Sequence, residues 1–193
     1  PAALELLARF RDSDPRIRVI DHDRNRGLPA ARNTGFREAR ADYVLLLDSD
    51  DLLEPTAAEK WFWFLESHPE FAFVKGYTVG FGAEEYLWTH GFHEGNAFLR
   101  ENLVAVTSLV RRDVHREVGG FDETFRTGLE DWDFWLRCAS RGYWGGTVPE
   151  FFDWYRRRQS HADRWGELTK ARIAEFALGI ADRYPRLDEK SFP

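Results

Sequence analysis

The apolar run Tyr43-Val-Leu-Leu-Leu47 leads straight into Asp48-Ser49-Asp50-Asp51, and this junction restricts the fold more than any other stretch. So short a run bounded by polar residues reads as a strand, and its unbroken apolar character predicts burial on both faces of a parallel sheet. Carboxylates placed directly after it lie at the carboxyl end of a strand, where open α/β sheets bind their ligands. Asp48, Asp50 and Asp51 crowd one turn and repel one another unless protons or a cation intervene. Hard oxygen donors suit Mg²⁺ or Mn²⁺. The D-x-D spacing puts Asp48 and Asp50 on one side of an extended segment. The residues alone also allow a plain acidic turn, with Asp51 capping the next segment.

Around this junction the pattern alternates. Helical spacing is predicted over 1–11, 28–40, 55–67, 113–118, 130–141 and 164–183, and extended segments over 17–20, 43–47, 71–74, 104–110, 143–148 and 152–155. Pro29 suits the first turn of its helix. The Gly- and aromatic-rich stretch 76–95 reads as a hairpin or a substrate-facing loop. The result is an α/β protein with a mixed, mainly parallel sheet flanked by helices. One domain occupies 1–163, and a C-terminal helix and polar tail occupy 164–193.

Net charge is -6 with a pI of about 5.6. An acidic chain is a poor partner for nucleic acid, although a metal ion can supply the charge a small phosphorylated ligand needs. Cys138 is the one cysteine, so no internal disulfide forms and a reducing, cytoplasmic compartment is expected. No apolar run approaches the ~20 residues of a membrane span. Peripheral contact with the inner face of a membrane is compatible with this reading. The chain contains no Met and begins at Pro1, which fits either a processed start or a longer protein.

Three further groups attract attention. In the helix 28–40 the stripe Leu28, Ala31, Gly35, Phe36 and Ala39 has Arg32 at its centre; such an Arg needs a carboxylate or a phosphate, or else snorkels at a sheet edge. Thr127-Gly-Leu-Glu130 matches a capping box. Asp131 follows in the first helical turn, where the dipole favours a carboxylate that could serve as a general base. Trp132 and Trp135 read as core residues or as a sugar-stacking wall, and Asp133 as exposed. Arg156-Arg-Arg-Gln-Ser-His161 is either a solvated charge run or a loop that closes over a diphosphate.

Leu28-Pro-Ala-Ala-Arg-Asn-Thr-Gly35, then Tyr43 to Asp51, Val118-Gly-Gly-Phe-Asp-Glu123 and Glu130-Asp-Trp-Asp-Phe-Trp-Leu-Arg137 occur in that order. Together they resemble the family 2 glycosyltransferases of GT-A fold, over about residues 4–161. The resemblance implies a metal at Asp48 and Asp50, with Asp50 the direct ligand, and Asp131 as the base of inverting transfer. It implies nucleotide-sugar contacts from Arg32, Asp48, Ser49, Asp50, Arg158 and His161. It implies an acceptor side formed by Gly120, Phe121, Asp122, Glu130 and Trp132. Family members usually open with further strands that grip the nucleobase, and the resemblance implies that roughly the first fifty residues of that domain do not occur in this sequence. An uncovered sheet edge, open to self-association, is the expected consequence.

The function so implied is Mn²⁺- or Mg²⁺-dependent, inverting transfer of a sugar from a nucleoside-diphosphate sugar to the hydroxyl of a glycan, lipid-linked or protein acceptor. Two alternatives use the same residues. One is metal-dependent phosphoester hydrolysis, and the other is a degenerate domain that binds sugars or a partner without catalysis.

Overall fold

The computed structural model describes residues 2–126, 128–159 and 170–192. Helix α1 (Ala2–Ser13) precedes α2 (Leu28–Glu38), β1 (Tyr43–Leu46), β2 (Leu52–Leu53), α3 (Ala57–Ser67), β3 (Phe71–Gly82) and β4 (Tyr86–Trp88). A 3₁₀ stretch (Phe92–Leu99) leads to β5 (Ser108–Arg111), α4 (Arg112–Val118), α5 (Glu130–Ala139) and β6 (Trp144–Arg157), and α6 (Lys170–Leu178) and α7 (Ile180–Arg183) come last.

The sheet runs β1-β5-β3-β6-β2, with β4 beside β3. Its spine is the pairing of the two long strands β3 and β6, from Phe71 opposite Trp144 to Gly82 opposite Arg157. Helices cover both faces, as the α/β reading expects, but the balance of directions differs from that reading. The β3–β6 ladder is the one parallel pairing among the described residues, and the β1–β5, β2–β6, β3–β4 and β3–β5 pairings are antiparallel. A continuous apolar run reports burial on two faces, and helices on both sides of an antiparallel sheet produce the same signal.

Strand β1 is an edge, paired with β5 alone among the described residues, and only its last residue, Leu46, is fully buried. The strand expected over 17–20 has no ladder. Ile17 and Ile20 are exposed, and an apolar segment without a hydrogen-bonding neighbour is no strand. The stretch 76–95 resolves into the outer half of β3, the short β4 and the start of the 3₁₀ turn. The helix expected from residue 164 is described from Lys170 onward and divides at Gly179.

Two apolar clusters flank the sheet. Trp61 and Leu65 of α3 meet Val74, Leu109 and Phe152 on one face. The larger cluster joins Phe73, Phe92, Phe98, Trp132, Phe134, Trp135 and Trp144 on the other. The tail contributes to it: Ile180, Tyr184 and Phe192 are buried, and the Phe192 ring stands edge-on to Trp144 at 4.7 Å. Cys138 lies in the same core at 0% exposure, and burial pushes its thiol pKa far up. Between β3 and β6 sits a buried polar group. Lys75 Nζ donates to Thr78 Oγ1 at 2.9 Å and lies 3.8 Å from Asp153, and burial lowers the lysine pKa against the pull of that carboxylate.

Candidate functional site

The acidic turn leaves β1 and is held by the end of β6. Arg156 donates its backbone N–H to Asp51 Oδ1 at 2.8 Å and its Nε–H to the Asp50 carbonyl. Arg158 donates from Nε and Nη2 to Asp50 Oδ2 at 3.1 and 2.7 Å. Burial pushes the Asp51 carboxyl up to about 6, with Asp48, Asp50 and Asp153 adding repulsion against the Arg156 N–H. Ser49 is exposed in the turn. His161 and Thr127 lie outside the described residues.

Arg32 joins this turn to the start of α5. Its Nη1 donates to Glu130 Oε1 at 2.7 Å and its Nη2 to Asp48 Oδ1 at 3.0 Å. Burial alone would lower the guanidinium pKa, but Asp48, Glu130 and Asp131 together hold it above the usual value. The helix that carries it is rotated from the expected stripe: Pro29, Ala30, Arg32 and Phe36 are buried, whereas Ala31 and Gly35 are exposed. Glu130 is therefore the partner of an arginine. The N-cap of α5 is Leu129, which makes no side-chain cap. Leu129 has φ 70°, the one positive φ on a non-glycine residue among those described. Backbone strain of this kind gathers at functional sites.

Asp131 comes directly after. Its Oδ1 accepts the N–H of Trp132 at 2.8 Å. Burial, then the neighbouring Glu130, raises its pKa to about 7, against Arg32, the Trp132 N–H and the Asn102 side chain. By exposed area the residue is only half buried, because it faces a small cavity of about 100 Å³. Arg32, Asp48, Trp88, Asn102, Asp131 and Tyr155 are among its lining residues.

Arg32, Asp48, Glu130 and Asp131 thus meet in one cleft, while other candidates lie elsewhere. Trp132 and Trp135 are at 0% exposure in the core, and Trp132 Nε1 donates to the Phe98 carbonyl. Asp133 is buried rather than exposed, bonded to Arg137 and to the Tyr184 hydroxyl. Phe121 stacks on Phe134 at 4.5 Å. Neither Gly120 nor Asp122 lines the Asp131 cavity. That segment is latched to α2 by Asn33, whose Oδ1 accepts the Phe121 N–H and the His115 Nε2–H and whose Nδ2 donates to the Phe121 carbonyl and Glu123. Burial, and then Arg137, lowers the His115 pKa to about 4, so the ring is neutral and donates from Nε2.

Sequence reasoning misses Trp88, Asn102 and Tyr155. Each is a single polar or aromatic residue outside any motif, brought to the cleft by the β3–β4 turn, the 3₁₀ stretch and β6. Among the described residues, no three His, Cys, Asp or Glu side chains are arranged to hold a metal ion. No described helix is long and apolar enough to cross a membrane.

The sheet with helices on both faces, and an acidic turn at the end of β1, define a GT-A-type α/β protein. The fold is similar to that of Staphylococcus aureus TarS residues 1–349 in complex with UDP-GlcNAc, with a TM-score of 0.74 at 14% identity over 98% of this chain and 56% of that one. The chain belongs to glycosyl transferase family 2, whose model matches residues 1–128. It is 28% identical to an uncharacterized glycosyltransferase of Methanocaldococcus jannaschii, over 80% of this chain and 55% of the relative. It is 32% identical to the uncharacterized glycosyltransferase YwdF of Bacillus subtilis, over 64% of this chain and 48% of the relative. The chain spans about half the length of these two relatives.

Proposed function

We propose that this chain carries the base and the diphosphate-facing acidic turn of an inverting glycosyltransferase, which moves a sugar from a nucleoside-diphosphate sugar to an acceptor hydroxyl. The observation behind this reading is the meeting of Asp131, Arg32 and Asp48 around one cavity. A carboxyl raised to about 7 is matched to taking a proton near neutral pH. Glu130 holds Arg32 and thereby orients it. Arg32 and Arg158 are cations that can exchange a carboxylate for a diphosphate oxygen as the leaving group builds charge. His161 joins them in this proposal from its place in the sequence.

Asp48 and Asp50 would hold Mn²⁺ or Mg²⁺, with Asp50 the direct ligand. Burial raises the Asp51 carboxyl and the repulsion of Asp48 and Asp50 adds to it, and a turn with three carboxylates so placed fits a cation. Such an ion, when bound, neutralises the diphosphate. The Gly120–Asp122 segment does not line the Asp131 cavity, and its part on the acceptor side would be indirect, through its latch to Asn33 of α2. TarS, of similar fold, has been solved with UDP-GlcNAc, which makes UDP-sugars the first donors to test.

Asp131→Asn should lower transfer by about 10²–10⁴-fold, the usual worth of a positioned base. Stabilisation by UDP and Mn²⁺ in a thermal-shift assay should persist in that variant. Transfer at the normal rate by the variant would sink the base assignment. No shift of the wild-type chain with any nucleotide-sugar and Mn²⁺ would favour a non-catalytic binding domain.

A further inference from the structure

Gly128 and Leu129 line the small cavity that Asp131 faces, and the same two residues line a second, much larger one. This outer cavity measures about 990 Å³, the size of a site for a small molecule, and is formed by the loop before α5 and by α6 and α7. Its lining carries three arginines, Arg126 from the loop and Arg172 and Arg183 from the helices, against two carboxylates, Glu175 and Asp182. Gly179 joins α6 to α7 in a right-handed helical conformation, so the helical spacing continues across it. At about 3.6 residues per turn, Arg172, Phe176 and Arg183 fall along one line of that face, and Glu175 and Asp182 fall to one edge of it.

Arg183 stands at the centre of this wall. Its guanidinium lies 5.3 Å from the centre of the Phe125 ring and 5.4 Å from that of Phe176, and the two rings meet edge-on at 5.9 Å. The residue is exposed, and its side chain makes no hydrogen bond or ion pair among the described residues. Aromatic faces hold a cation in place without neutralising it, so the guanidinium keeps its fork of donors for an anion. Arg126, also exposed, spends one N–H on the Arg26 carbonyl. A carboxylate offers two oxygens, which one guanidinium fork satisfies. Arginines on both walls of a cavity suit the larger oxygen set of a phosphate.

We propose that the outer cavity binds the acceptor, and that the acceptor is a sugar bearing a phosphate. The phosphate lies between Arg126 and Arg183, and the sugar passes Gly128 and Leu129 to bring one hydroxyl to Asp131. Leu129, the residue with positive φ, is thus the threshold between the phosphate and the base. The proposal rests on the glycosyltransferase reading for the fate of that hydroxyl, but binding of the acceptor needs neither donor nor metal.

The test is a metal-free NMR titration of the 193-residue chain with glucose 1-phosphate and N-acetylglucosamine 1-phosphate, and with the methyl phosphodiester of each. Methyl β-N-acetylglucosaminide, methyl β-glucuronide and inorganic phosphate are the controls. The monoesters stand for a lipid-linked sugar phosphate and the diesters for a phosphodiester polymer, and the tighter set tells these sources apart. At least one phosphosugar should move the backbone signals of Gly128 and Gly179, saturate, and bind about tenfold or more tightly than each control. Arg183→Gln and Arg126→Gln should each weaken it by about fivefold or more, while stabilisation by UDP with Mn²⁺ stays unchanged. Glu175→Gln, which removes a repelling charge, should tighten it. A control that binds as well as the phosphosugar overturns the proposal. So does unchanged affinity in both arginine variants, weakening by Glu175→Gln, or shifts confined to residues 48–51. If the phosphosugar behaves as expected and UDP with Mn²⁺ does not stabilise the wild-type chain, the cavity stands as a phosphosugar site and the nucleotide-sugar reading falls. If UDP with Mn²⁺ stabilises the chain and no phosphosugar binds, the cavity proposal falls alone.

Discussion

Arg32 stands between two carboxylates, and the two ion pairs have different consequences. The bond to Glu130 joins side chains that are each only 7% exposed, whereas Asp48 is partly open to solvent. Breaking a buried pair by removing one partner costs about 3–5 kcal/mol, because the other charge stays behind. Arg32→Met should therefore lower stability by that order in urea unfolding, and adding Glu130→Gln should recover part of the loss. Equal stability of the single and double variants would mean that Glu130 finds water or another partner. Asp131 offers a pH test. Its pKa in the folded chain lies near 7, above the ordinary carboxylate value near 4. Between those values the folded state holds a proton that the unfolded state has released, so its contribution to stability falls as pH rises from about 4 to about 7. The melting temperature of Asp131→Asn relative to wild type should therefore climb by a few degrees between about pH 5 and pH 8, the shift being limited by the carboxyl's access to the cleft. A gap that is constant with pH would remove the shift.

At the scale of elements, the turn after α4 decides whether α2 and α5 keep their spacing. Gly120 has φ 71°, and a Cβ there would come within 2.7 Å of Asn33 Oδ1, the atom that receives two hydrogen bonds. Gly120→Ala combines backbone strain with damage to that latch and should cost about 1–3 kcal/mol by urea midpoint. Little or no change would show that the loop relocates freely. Much of this scale is legible in the sequence. Pro29, the apolar run after Tyr43 and the helix from Glu130 each announce their elements through local chemistry. The rotation of α2 is not legible, because two alanines and a glycine leave its apolar face undefined, and Arg32 is buried by its partners rather than by its stripe. The ladders of β3, β4 and β6 escape as well. Their register depends on residues far apart in the chain, such as Thr78 opposite both Trp88 and Asp153.

For the whole molecule, ordered motifs identify the class, but they do not show how the second half closes the cleft. Trp88 and Asn102 reach Asp131 only through the tertiary path of the chain, and neither belongs to a motif. The direction of the sheet is hidden for a related reason: an apolar strand covered by helices reads the same whichever way its neighbours run. Cys138, buried at 0% exposure about two turns after Asp131 in α5, has a use in the laboratory. As the sole thiol of the chain, it acts as a clock for exposure of the helix that carries the base. A thiol reagent should label it at least about a thousandfold more slowly in native buffer than in urea, as expected if reaction requires global unfolding. Labelling at the urea rate in native buffer would mean that α5 opens on its own. Slower labelling on addition of a ligand would report binding without any knowledge of the reaction.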